Sequence, residues 1–81
     1  MDGPSREEAM RQNRRTLEHS NLTPLERDAI GPLDRPGYFT VKARSTFAGL
    51  TLHVDGTLDE VRYAYSAYRV VVDGIRRRLN R

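Results

Sequence analysis

Between residues 58 and 79, apolar side chains recur at Leu58, Val61, Tyr65, Tyr68, Val72, Ile75 and Leu79, in alternating steps of three and four. That spacing lays all seven on one stripe of an α-helix. Upstream the period changes to two. Phe39, Val41 and Ala43 alternate with Thr40, Lys42 and Arg44, and Leu50, Leu52 and Val54 alternate with Thr51 and His53. Each run reads as a short strand with one face on the core and one in water. Ser45–Gly49 joins them as a hairpin loop closed by glycine.

Helix starts are marked by a Ser or Thr followed three residues later by Glu, so that the two side chains satisfy each other's backbone donors. Ser5 with Glu8 opens a first helix over 6–19. Thr23 with Glu26, and Pro24 at the first helical position, opens a short second helix ending near Gly31. Thr57 with Glu60 opens the long third helix. The first helix is sparsely apolar, with Ala9, Met10 and Leu17, so it is either a solvated arm or an element ordered by docking. The expected architecture is α+β: a helical N-terminal arm (1–20), a proline-rich connector with a short helix (21–37), and a ββα core (38–81) whose hairpin packs on the long amphipathic helix.

This plan leaves surface over. A two-stranded sheet covered by one helix has both edges unpaired. The long helix also carries a second, weaker apolar-to-small stripe, Tyr63, Ala67, Val70 and Gly74, turned away from the first. A glycine there costs about 1 kcal/mol relative to alanine, so Gly74 marks either close approach of another backbone or a fraying last turn. The alternative to a partner is that the arm and connector cover this stripe within the chain. A parallel coiled coil through the main seam is a poor fit. Its flanks are Arg62, Arg69, Arg76 on one side and Ala64, Val71, Arg78 on the other, with nothing acidic to answer the arginines.

Composition narrows the choices further. Eighty-one residues make at most one small domain, and one of this size buries only about 60% of its unfolded surface. There are no cysteines, so no disulfide or thiolate metal site supports the fold. No apolar run reaches the roughly 18 residues of a membrane span, and an intracellular, soluble protein is expected. The net charge of +3 is uneven: residues 1–35 hold six Arg against seven Asp and Glu (−1), and residues 36–81 hold eight basic against four acidic residues (+4). Thirteen of the fourteen basic residues are arginine. Guanidinium forks suit phosphates and carboxylates, but a GC-rich genome also yields arginine wherever a cation suffices.

Candidate chemistry is thin. Arg62, Arg69 and Arg76 form a rail along one edge of the seam, with successive guanidiniums roughly 10 Å apart. Arg77 and Arg78 extend it, and Lys42 and Arg44 on the outer strand face are candidate extensions. Such a strip suits an acidic protein surface or a nucleic-acid backbone. The plainer reading is that its methylenes cover the seam edge while the terminal cluster complements the helix dipole. His53 and Asp55 share a face, but two histidines without a third ligand do not define a metal site. The acidic pairs Glu7-Glu8 and Asp59-Glu60 are explained as helix-start residues. No nucleophile–base spacing or glycine-rich phosphate loop is present. The expectation is a non-enzymatic interaction or assembly protein that needs no cofactor or small-molecule substrate. It self-associates or docks on a larger protein through Tyr63, Ala67, Val70 and Gly74, with nucleic acid as the alternative partner of the arginines.

Overall fold

The computed structural model describes Gly3 and residues 5–80. Its elements run α1 (Arg6–His19), α2 (Pro24–Ala29), β1 (Ile30–Pro32), β2 (Phe39–Ser45), β3 (Leu50–Gly56) and α3 (Leu58–Leu79). The strands form one antiparallel sheet in the order β1-β2-β3, and α3 packs on it, so the chain is α+β.

The capping signals act as expected, with one difference. At α2, Thr23 Oγ1 accepts from the Glu26 amide while Glu26 Oε1 accepts from the Thr23 amide. Thr57 and Glu60 repeat this at α3. At α1 the Ser5 half is formed, its hydroxyl accepting from the Glu8 amide at 3.1 Å, and Glu8 itself stays exposed.

The hairpin carries the core. Phe39 and Val41 are buried on the inner face of β2, with Ala43, Leu50, Leu52 and Val54 packed around them. Val61, Tyr65, Tyr68 and Val72 of α3 complete the cluster from above. The Tyr68 hydroxyl stays hydrogen-bonded in this setting, 2.8 Å from Ser45 Oγ and donating to the Leu50 carbonyl at 3.2 Å. Both groups flank the hairpin turn, so one α3 side chain fixes where that turn sits. Gly49 closes the turn at φ 66°, a left-handed conformation glycine adopts without a Cβ penalty.

The main correction to the sequence reading concerns sheet edges. β1 pairs with β2 (Ile30 with Val41, Pro32 with Phe39), so the β2 edge expected to be bare is covered. Ile30 thereby enters the core. A three-residue strand containing Gly31 and Pro32 shows no period-two pattern, and proline is tolerated there because this is an edge.

The first helix is docked. On α1, Ala9 and Asn13 are buried and Leu17 packs against the core. Asn13 is the anchor. Its Nδ2 donates to the carbonyls of Leu33 (2.8 Å), Arg35 (2.8 Å) and Tyr38 (3.1 Å), and its Oδ1 accepts from the Gly37 amide at 2.9 Å. One amide side chain thus satisfies much of the backbone of the β1–β2 loop. Arg27 of α2 holds the other end of α1, donating to the carbonyls of Leu17 and Ser20.

Candidate surface on the outer face of the long helix

The burial of α3 has a clear direction. Val61, Tyr65, Tyr68 and Val72 point to the sheet, and the opposite side is open. Tyr63 is 78% exposed and Val70 68% exposed, which leaves two large side chains in water half a turn from the core. Ala67 is exposed between them and Gly74 is half-buried. An added Cβ at Gly74 would meet nothing within 4 Å, so packing inside the chain does not require a glycine there. Neither α1 nor the connector covers this stripe: α1 packs on β1, and α2 packs on β1 and β2 with Glu26 reaching the flank of α3. Leu25 of α2, also largely exposed, stands across a shallow groove from Ser66, Arg69 and Val70.

The arginine rail is mostly engaged within the chain. Arg62 forms a two-pronged pair with Glu26, Nε to Oε2 at 3.0 Å and Nη2 to Oε1 at 3.2 Å. Glu26 is nearly buried, and its carboxyl is held below the usual value, first by the hydrogen bond from Arg62 and then by the Thr23 amide. The same hydrogen bond raises the pKa of Arg62. Glu26 therefore serves the cap of α2 and the clamp between α2 and α3 together, a double role hidden by 36 residues of separation.

Further along, Arg69 pairs with Asp73 one turn on at 3.4 Å. The Arg76 guanidinium lies 5.0 Å from the centroid of the Phe47 ring at the hairpin tip, where a cation is attracted to the ring face. Arg77 and Arg78 are exposed on the outer half of the helix. Lys42 and Arg44 lie on the sheet face turned away from α3, beside Thr51 and His53. The structure does not bring those two together with the rail.

His53 and Asp55 share that outer sheet face, with Nε2 and Oδ1 3.5 Å apart. Among the described residues, no group of three His, Cys, Asp or Glu side chains is placed to hold a metal ion. Likewise no described helix is long and apolar enough to cross a membrane. Of the consequential polar residues, Asn13 is not singled out by the sequence pattern, and Glu26 is read there as the cap of α2 but not as the partner of Arg62. Asn13 left one signal: it falls between Ala9 and Leu17 at helical spacing, a polar residue on the apolar face of α1. No protein family, curated protein or solved structure matches this chain.

Proposed function

We propose that this chain is a non-enzymatic interaction or assembly module that engages a protein surface through the outer face of α3. What carries the reading is the exposure of Tyr63 and Val70 on a helix whose other face is already satisfied by the sheet. The two stand two turns apart on one stripe with exposed Ala67 between them, and tyrosine is a favoured interface anchor. Tyr63→Arg with Val70→Asp removes the apolar face without touching the core. The expected outcome is loss of the bound partner, whether a second copy or another protein, with the far-UV helix signal retained. A double variant that keeps its partner would place the interface elsewhere.

The nucleic-acid alternative draws less support, because Arg62, Arg69 and Arg76 already have intramolecular partners. Gel shifts with generic duplex and single strands at two salt concentrations test it. Tight binding that collapses as salt rises would favour phosphate contact through Arg77 and Arg78.

A further inference from the structure

We infer that the occupant of the outer face of α3 is a second copy of the same helix, running antiparallel about a two-fold axis near residues 68 and 69. The inference rests on the interaction reading above and adds the partner's identity and register.

Charge is segregated along the stripe. Asp59 and Glu60 lie at the N-terminal end of α3, Arg77 and Arg78 at its C-terminal end, and all four are exposed. The step from Asp59 to Arg77 is 18 residues, five full turns at 3.6 residues per turn, so both lie on the same side of the stripe. Glu60 and Arg78 are related in the same way and lie on its other side. In an antiparallel pair related by a two-fold axis, residues on one side of the contact meet residues on the same side of the copy. Asp59 then faces Arg77 of the copy and Glu60 faces Arg78, and the axis repeats both pairs. A parallel pair would set acid beside acid and arginine beside arginine, so charge selects the antiparallel arrangement.

The stripe fits the same register. With the ends aligned, Tyr63 comes level with Gly74 of the copy, and Ala67 with Val70. The largest side chain of the stripe meets the position with no side chain, and the intermediate ones meet each other. A glycine that packs against nothing in its own chain thereby acquires a use: it admits the tyrosine ring and lets the helix axes approach. The groove between Leu25 and Val70 lies at the level of the axis, so Leu25 adds apolar surface at the centre. Surface of this kind is self-complementary, as a two-fold interface requires.

Sedimentation across a wide concentration range, combined with cross-linking, tests the inference. The chain has no cysteine, so Tyr63→Cys and Gly74→Cys chains carry one thiol each. Mixed and treated with a short bis-maleimide, they are expected to form a 63–74 linked dimer. Tyr63→Cys alone is expected to link poorly, since two copies of position 63 lie about 16 Å apart along the axis. Asp59→Lys and Arg77→Glu should each weaken dimerisation by about tenfold, and the double variant should recover most of it. Efficient 63–63 linking would overturn the antiparallel register while leaving the interaction face intact. A strict monomer at all concentrations would overturn the second copy as occupant, and the interaction reading would then stand or fall on a different protein being lost with Tyr63→Arg and Val70→Asp. A dimer indifferent to Tyr63, Val70, Asp59 and Arg77 would overturn both.

Discussion

Two polar residues do more structural work than their composition suggests. Asn13 supplies both hydrogens of one amide to three loop carbonyls and accepts from a fourth backbone group. Asn13→Ala would leave those groups facing an apolar gap. Each unsatisfied buried group costs on the order of 1–3 kcal/mol, enough to loosen α1 from the sheet. Denaturant unfolding should show the loss, and amide exchange at Gly37 should rise with it. Glu26 gives a different signature. Its folded pKa is depressed, so the stability it contributes is present above the usual carboxylate value and fades as pH falls through the depressed one. The native chain should therefore lose stability as pH falls below about 4.5, and Glu26→Gln should be less stable at pH 7 and flatter across that window. Neither role was legible beforehand: a capping glutamate and a mid-helix asparagine look ordinary until the partner element, 20 or more residues away, is brought beside them.

At the scale of elements, the pattern of the sequence was sufficient where it was periodic. The hairpin, α3 and the three helix starts follow from steps of two, of three and four, and from Ser or Thr with Glu. β1 escaped because three residues are too few to show a period, and its pairing is dictated by the neighbouring edge of β2 rather than by its own side chains. The docking of α1 escaped for a related reason, since its anchor bonds to backbone, which carries no residue code. The seam itself runs past its support. Val72 is fully buried, Ile75 half-buried and Leu79 exposed. Twenty-two helical residues reach about 33 Å while seven strand residues reach about 23 Å. The contact between α3 and the hairpin turn is correspondingly important. Tyr68→Phe should cost about 1 kcal/mol and should destabilise the Ser45–Leu50 turn selectively, measurable as faster amide exchange there than in β1.

The whole molecule is long for its mass. It measures 57 × 22 × 16 Å with a radius of gyration of 14.9 Å, against about 12 Å for a compact domain of this length. Its accessible surface is 5928 Å², where a monomer of this mass averages about 5,000 Å². Surplus surface of this kind is what a shared interface would consume, and the outer face of α3 contributes Tyr63 and Val70 to it. Gly74→Ala separates the two demands on that face. In the isolated chain the helix should gain about 1 kcal/mol, raising Tm at low concentration. At high concentration, with a second copy as the proposed occupant, the methyl would obstruct that copy's Tyr63 ring, and the gain in Tm should shrink or reverse.

The way α1 is fastened also sets which positions are free to drift. Because Asn13 grips main-chain atoms of the β1–β2 loop, the exposed side chains of Arg35 and Pro36 are not consulted by the grip, and Asp34 adds only a solvent-exposed pair with Arg6 of α1 at 3.5 Å. A library randomised at those three codons should return many folded variants, while one randomised at codon 13 should return almost nothing but asparagine. Distant kin of this chain would then be found by one amide in a helix, not by resemblance in the loop it holds.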